Sequence, residues 1–158
     1  MDKKIQQAEN KGRKKAKQQL DNCPTVINYV FTDDQYDHID LYVTGKNYTM
    51  AVEIKDRTNM PQHKKEMADQ DGYLIEKLKY DYLMSASTLS GYTPIYITYI
   101  KESGKTLSLS WDITKVTPLF IKRKCREKSM SDDDTHIWKL ITLLPRNKAS
   151  IKILSYDQ

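Results

Sequence analysis

Long apolar runs, cysteines and spaced metal-binding histidines are scarce in this sequence, and each scarcity argues against a class of protein. No apolar run approaches the roughly 20 residues that a membrane-spanning helix requires. The N-terminal segment MDKKIQQAENKGRKKAKQQL has no hydrophobic stretch of the kind that a secretory signal carries, so a cytoplasmic protein without a membrane partner is expected. Cys23 and Cys125 lie far apart, which favours reduced packing residues over a disulfide. His38, His63 and His136 also lack metal-ligand spacing and are expected to pack or to lie at the surface.

The charge of the chain is modest in sum and uneven in distribution. The 158 residues suit a single domain with a hydrophobic core, and the net charge is +5. Basic residues are concentrated in two clusters, Lys3, Lys4, Lys11, Arg13, Lys14, Lys15 and Lys17, and Lys122, Arg123, Lys124, Arg126 and Lys128. Such clusters can attract phosphate backbones by releasing counterions, although solvated helix faces are the commoner cause of lysine-rich stretches.

Hydrophobic periodicity predicts an α/β fold with a mixed sheet. Residues 3–20 form a predicted helix whose apolar stripe is Ile5, Ala8, Gly12, Ala16 and Leu20. A second predicted helix, Gly72–Leu89, has the stripe Leu74, Ile75, Leu78, Tyr82 and Ala86, and Arg57–Asp71 before it is a predicted loop. The predicted strands are Val26–Thr32, His38–Thr44, Tyr48–Lys55, Thr93–Lys101, Thr106–Ile113, His136–Leu143 and Ser150–Tyr156.

The turn Gly45-Lys46-Asn47 predicts a hairpin that brings charged side chains together. Alternation along its first strand places Ile39, Leu41 and Val43 on one face and His38 and Asp40 on the other. On its second strand, Glu53 and Lys55 share the face opposite Val52 and Ile54. Asp37 and Asp56 are alternative acids, but their alternation does not match that of Asp40 and of Glu53.

Asp40, Glu53 and Lys55 suit phosphodiester hydrolysis if the two strands present one face. Two carboxylates provide the hard oxygen ligands that Mg²⁺ prefers, with water and substrate phosphate completing the coordination. A neighbouring lysine can orient or deprotonate water and balance charge on the phosphate. The alternative is an exposed polar sheet face on which Asp40 and Lys55 form a cross-strand pair.

The segment Ile39-Asp40-Leu41, followed across a short hairpin by Val52-Glu53-Ile54-Lys55, resembles the signature of the PD-(D/E)XK nuclease superfamily. Members have an acid in one strand and an Asp/Glu-X-Lys triplet in the next; the nominal proline is absent here, as in many of them. The element order also resembles the superfamily's αβββαβ core over about residues 3–101, with residues 102–158 as an extension. The resemblance implies a single domain with a restriction-endonuclease-like fold that uses Mg²⁺, or Mn²⁺ as a substitute. Asp40, Glu53 and the Ile54 carbonyl would hold the metal, and Lys55 would position the attacking water.

Two further elements match the superfamily by context. Glu9 lies in the first helix, where several branches place a glutamate that reaches the metal; the alternative is that it balances nearby lysines. Glu76 and Tyr80 have the spacing of a Gln-x-x-x-Tyr element, with Glu replacing Gln, or they belong to a plain amphipathic helix. The residues expected to contact nucleic acid are Lys11, Arg13, Lys14, Lys77, Lys79 and Tyr80.

The leading prediction is therefore a Mg²⁺-dependent deoxyribonuclease. The alternative is a catalytically silent domain of the same fold that binds nucleic acid or another protein, and an RNA-directed nuclease is a third reading. The sequence leaves open whether the chain acts as a homodimer or with a partner protein. It also leaves open whether residues 114–158 dock DNA, a partner or the sheet.

Overall fold

The protein, described here as a computed structural model, has two helices and nine strands in the described ranges 3–33, 38–59, 73–126 and 136–157. The helices are α1 (Lys3–Asp21) and α2 (Lys77–Ser90). The strands are β1 (Val26–Phe31), β2 (Leu41–Gly45), β3 (Thr49–Asp56), β4 (Tyr73–Glu76), β5 (Thr93–Glu102), β6 (Lys105–Asp112), β7 (Ile121–Arg126), β8 (His136–Leu144) and β9 (Ser150–Tyr156).

The larger sheet has six strands in the order β1-β2-β3-β5-β6-β9. Strands β3 and β5 run parallel, whereas every other neighbouring pair is antiparallel. A parallel pair requires a crossover connection, and α2 lies within the segment that joins β3 to β5. The prediction of an α/β fold with a mixed sheet is confirmed.

The smaller sheet has three strands in the order β4-β8-β7 and corrects two predictions. The predicted helix Gly72–Leu89 begins only at Lys77, because the preceding four residues form β4. Tyr73 and Ile75 are buried while Leu74 between them is partly exposed, which is the two-residue alternation of a strand. Strand β7 was missed because its sequence, IKRKCR, has only one strongly apolar residue.

Helix α1 packs on one face of the larger sheet through small residues. A Cβ atom added to Gly12 would lie 2.9 Å from the Ile54 Cγ2 atom, so the helix and β3 are in close contact. Ala16 is buried with Leu41 and Val52 in the cluster between them. The predicted small-residue stripe is therefore correct over its described side chains.

Helix α2 covers the opposite face of the sheet, but with a different apolar stripe from the predicted one. Leu78 is 54% exposed and Tyr82 is also exposed, whereas Leu83 is fully buried. The predicted stripe was wrong because it was counted from Leu74 and Ile75, which belong to β4 and do not set the phase of the helix.

The first strand of the hairpin begins later than predicted, and the Ile39 side chain lies on the face of the sheet opposite to the predicted one. Strand β2 starts at Leu41, and Ile39 is buried with Ala51 in the cluster on the α2 face. Leu41 and Val43 lie in the cluster on the α1 face, as expected. Ile39 precedes the regular strand, so strict alternation does not hold there.

Two predictions from composition can be compared with the described residues. Cys23 is a free thiol, whereas the side chain of Cys125 lies outside the described part. No helix in the described ranges is long and apolar enough to span a membrane. Asp37 and His63 also lie outside the described residues, as does the side chain of His136.

Candidate active site

The β2–β3 hairpin brings Asp40 and Glu53 together. Leu41 pairs with Val52, and the Asp40 backbone N–H also donates to the Val52 carbonyl, at 3.0 Å, so the one-to-one register ends at Leu41. The Asp40 carboxylate nevertheless lies next to Glu53, because it is one of the groups that raise the pKa of Glu53. The Asp40 side chain accepts a 2.8 Å hydrogen bond from the Ile54 backbone N–H through Oδ2, which fixes its orientation.

Glu53 has a buried carboxyl group, and one of its oxygens lacks a hydrogen-bond partner among the described residues. Only 7% of the residue is exposed, and its Oε1 lies 2.9 Å from Lys79 Nζ. Its Oε2 is buried and has no hydrogen-bond partner among the described residues. Burial and the neighbouring Asp40 carboxylate raise the pKa of Glu53 to about 8, against the opposing effect of Lys79. A cation beside Glu53 and Asp40 would relieve both causes.

Lys55 projects from the same face of β3 as Glu53. The residue is partly buried, and burial together with the positive charge of Arg57 lowers the pKa of Lys55 to about 8. The charges of Glu53 and Glu76 oppose this shift. A lysine with this pKa can exchange a proton near neutral pH, which general base or acid catalysis requires.

Arg57 is the residue of this region that the sequence prediction assigned to a loop. Its guanidinium is buried and donates to Thr98 Oγ1 at 2.6 Å and to the Leu74 carbonyl and the Tyr96 hydroxyl, both at 3.1 Å. Thr98 Oγ1 in turn donates to the Lys55 carbonyl at 3.0 Å. Arg57 thus joins β3, β4 and β5 next to Lys55. The alternation of Glu53, Lys55 and Arg57 on one face was the available indication in the sequence.

Glu76 does not share a helical face with Tyr80, and this prediction was wrong. Glu76 ends β4 in an extended conformation, and α2 begins after it. Its Oε1 accepts from Lys139 Nζ of β8 at 2.9 Å. Tyr80 is partly buried and meets Phe120 edge-on, with ring centroids 5.2 Å apart.

The predicted nucleic-acid contacts divide into exposed and paired side chains. Lys11 and Lys14 are exposed on α1. Arg13 instead turns toward the sheet, where Nη1 donates to the Thr32 carbonyl at 2.8 Å and Nη2 lies 3.7 Å from Asp40 Oδ1.

The predicted contacts on α2 both have acidic partners. Lys77 pairs with Asp81 one turn further along the helix, and Lys79 pairs with Glu53. These ion pairs would have to open or rearrange before either lysine could contact a phosphate.

Glu9, His38 and Asp56 were also considered as neighbours of the metal site, and the structure places each of them in other contacts or at the surface. Glu9 is exposed on α1, and within the described ranges no hydrogen bond or ion pair joins it to Asp40 or Glu53. The His38 ring stacks on Tyr82 of α2 with centroids 3.8 Å apart. Asp56 lies on the α1 face, where it accepts from Lys15 and Thr58, as its alternation predicts.

The residues present fit a hard divalent cation to a limited extent. Asp40 and Glu53 supply carboxylate oxygens, and Glu53 Oε2 is buried without a partner among the described residues. In a strand the N–H and C=O of one residue point to the same side, so the Ile54 carbonyl also faces the Asp40 side of β3. No cluster of three or more His, Cys, Asp or Glu side chains occurs in the described part of the chain. Mg²⁺ commonly takes one or two carboxylates and fills its remaining positions with water and phosphate.

Comparisons with protein-family models, curated proteins and solved structures found no match to this chain. The assignment to the PD-(D/E)XK superfamily therefore stays a prediction from the hairpin residues and the order of elements.

Proposed function

We propose that this protein is a Mg²⁺-dependent deoxyribonuclease of the PD-(D/E)XK type with a restriction-endonuclease-like fold. The observation that carries the proposal is the buried, incompletely bonded Glu53 carboxyl beside Asp40, with Lys55 on the same face of the strand. A buried carboxylate beside a second carboxylate is costly unless a cation or a proton neutralises it. A site with this cost and no structural partner for Glu53 Oε2 in the described residues is a candidate for function.

The arrangement of the core supports the fold part of the proposal. The order α1, β1–β3, α2 and β5 matches an αβββαβ pattern, with β3 and β5 parallel and the helices on opposite faces. The short strand β4 before α2 is an addition to that pattern, and it belongs to the smaller sheet.

In the proposed mechanism, Asp40, Glu53 and the Ile54 carbonyl would hold Mg²⁺. Bound there, the ion would supply positive charge to the phosphate and its attacking oxygen. The Ile54 N–H keeps the Asp40 carboxylate turned to the site. Neutral Lys55 would accept the proton of the attacking water at Nζ, and its pKa of about 8 makes the neutral form accessible. The water oxygen bonds to phosphorus as the P–O bond to the leaving sugar oxygen breaks, and solvent water protonates that oxygen.

A second candidate function is a silent domain of the same fold that binds nucleic acid or another protein. It is favoured by the two basic side chains that already face the acids, Lys79 at Glu53 and Arg13 near Asp40. In this case the charge of the carboxylates is balanced by the protein, and nucleic acid would bind without metal. An RNA substrate, a cytoplasmic location, and a homodimer or a partner protein stay predictions.

Divalent-ion binding measured by calorimetry separates the two candidates. We expect Mg²⁺ or Mn²⁺ to bind the wild type and not Asp40→Asn. This variant removes the charge and keeps an oxygen that can accept from the Ile54 N–H. Asp81→Asn is the matched control, because Asp81 is exposed on α2 and forms an ion pair with Lys77, away from Asp40 and Glu53. Equal isotherms for wild type and Asp40→Asn, with the fold intact by circular dichroism, would refute the proposed metal site at Asp40.

A further inference from the structure

Strands β7 and β8 form a two-stranded ribbon that extends beyond the smaller sheet. Strand β4 pairs with β8 only from Glu76–Ile141 to Tyr73–Leu144. The preceding half of β8, from His136 to Leu140, pairs with β7 on one edge. Ile137 and Trp138 point to opposite faces of this half, and both are exposed. In the described residues, the Trp138 face of this half is therefore open to solvent, whereas Lys139 on the other face pairs with Glu76.

One face of the ribbon combines lysines with an exposed tryptophan. Lys122 lies opposite Leu140, and Lys124 lies opposite Trp138, so these four residues share a face, which we call the ribbon face. Trp138 is 68% exposed, Leu140 is exposed, and both lysines are exposed. Trp138 and Leu140 thus form an exposed apolar pair between two lysines, which makes this face a candidate binding surface.

The charge of the ribbon favours a polyanion over a protein groove as its partner. Neither β7 nor β8 contains an Asp or Glu in its sequence. On the opposite face, Arg123 lies across from Lys139, which pairs with Glu76 at the start of α2. Lysines two residues apart on a strand are roughly 7 Å apart, comparable with neighbouring phosphates of an extended single strand.

The ribbon is joined to the candidate active site through α2. Lys139 of β8 binds Glu76, and three residues later Lys79 binds Glu53. The ribbon is therefore attached, through the face opposite Trp138, to the element whose Lys79 contacts the proposed metal site.

We propose that the ribbon face binds a single-stranded segment of DNA, with Trp138 stacking on an unpaired base and Lys122 and Lys124 contacting the flanking phosphates. The choice of DNA rests on the proposed function. The preference for a single strand rests on Trp138, because an aromatic side chain stacks readily on the free face of an unpaired base, whereas in a duplex that face is covered by the neighbouring base pair. The substrate class of the nuclease is then DNA with a single-stranded tail, gap or branch.

The test is the binding of fluorescently labelled oligothymidine and of a blunt duplex to the full chain, measured by anisotropy in EDTA. Trp138→Ala should weaken binding of the single strand by roughly fivefold or more, as the loss of one stacked base does. Trp138→Phe should keep much of the affinity, and binding of the blunt duplex should change much less. Tyr156→Ala is the matched control, because Tyr156 is an equally exposed aromatic on β9, at 67%.

The lysines are tested by the salt dependence of the same binding. Lys122→Ala and Lys124→Ala should each reduce the slope of log affinity against log salt by about 0.7, the value for one phosphate of a single strand. Lys152→Ala on β9 makes the same charge change on a different strand and should leave the slope unaltered. Tryptophan emission should also be quenched by the oligonucleotide in the wild type and not in Trp138→Phe, since Trp111 is fully buried.

The outcomes separate this inference from the proposed function. Unchanged binding in Trp138→Ala, an equal loss for duplex and single strand, or no binding in EDTA would each overturn the ribbon site, even if the wild type cleaves DNA. A change of oligomeric state in Trp138→Ala without a change in DNA affinity would overturn it in favour of self-association. Trp138-dependent binding without any metal-dependent cleavage product would support the ribbon site and refute the proposed nuclease activity.

Discussion

Replacement of Glu53 by glutamine should change how the stability of the metal-free protein depends on pH. Burial and the Asp40 carboxylate raise the pKa of Glu53 from its ordinary 4.5 to about 8. Lys79 contacts it from α2, and Lys55 lies on the same strand face. In Glu53→Gln the side chain keeps its size and stays neutral at every pH, so both causes of the shift lose their effect.

The sign and size of the change follow from the two pKa values. Between pH 4.5 and about 8 the folded protein retains the Glu53 proton while the unfolded chain has lost it, so stability falls as pH rises. The slope is at most about 1.4 kcal/mol per pH unit, and the full contribution is on the order of 5 kcal/mol. Lys79 loses its ionic partner in the variant, so only part of this is recovered. We expect the difference in unfolding free energy between Glu53→Gln and the wild type to grow in favour of the variant by about 2–4 kcal/mol as the pH rises from about 5 to about 8.

Urea denaturation in EDTA at several pH values measures this difference. Emission of the buried Trp111 reports the loss of the core, and far-ultraviolet circular dichroism reports secondary structure. Glu102→Gln is the matched control, because Glu102 is more exposed and pairs with Arg146. Its stability should follow the wild type within about 1 kcal/mol over the same range. If wild type and Glu53→Gln show parallel curves, then Glu53 is not a desolvated acid and the description of the site is wrong.

Two further predictions concern the packing around the site. Arg57→Gln should lower the free energy of unfolding by about 3 kcal/mol, because oxygens of three other residues lose their hydrogen-bond donor. The control Arg146→Gln, which breaks a partly exposed ion pair, should lower it by less than about 1 kcal/mol. Equal losses in urea denaturation would refute the structural role of Arg57. Gly12→Ala should destabilise the protein by about 1 kcal/mol despite the better helix propensity of alanine, because the new methyl group would meet Ile54 at 2.9 Å. Asn10→Ala, at an exposed position of the same helix, should raise the melting temperature instead, and a rise in both would show that α1 is not in close contact with β3.

The parts of the fold that were predicted correctly have strong local patterns. The Gly45-Lys46-Asn47 turn, with β2 ending at Gly45 and β3 starting at Thr49, fixes the hairpin register and hence the approach of Asp40 to Glu53. The small residues of α1 also identified their own packing face, because only small side chains allow a helix this close to a sheet.

The parts that were missed depend on contacts far apart in the sequence. Four residues of β4 precede α2 directly, so their apolar side chains were counted into the helix, although they are held by pairing with β8 about 70 residues later. The basic strand β7 is likewise defined by its partner strand and not by its own composition. Which lysine or arginine would contact an acid depends on the same distant packing. Arg13 and Lys79 were therefore predicted as phosphate contacts although both face the carboxylates.

The central claim, metal-dependent DNA hydrolysis at Asp40, Glu53 and Lys55, is tested most directly by cleavage of labelled single-stranded, double-stranded and branched DNA with Mg²⁺ or Mn²⁺. The wild type should give products only with metal, and Lys55→Ala should give none. Lys46→Ala, which removes an exposed lysine in the hairpin turn, should cleave like the wild type. Products that persist in EDTA or in Lys55→Ala, or their absence on every substrate although metal binds, would contradict the claim.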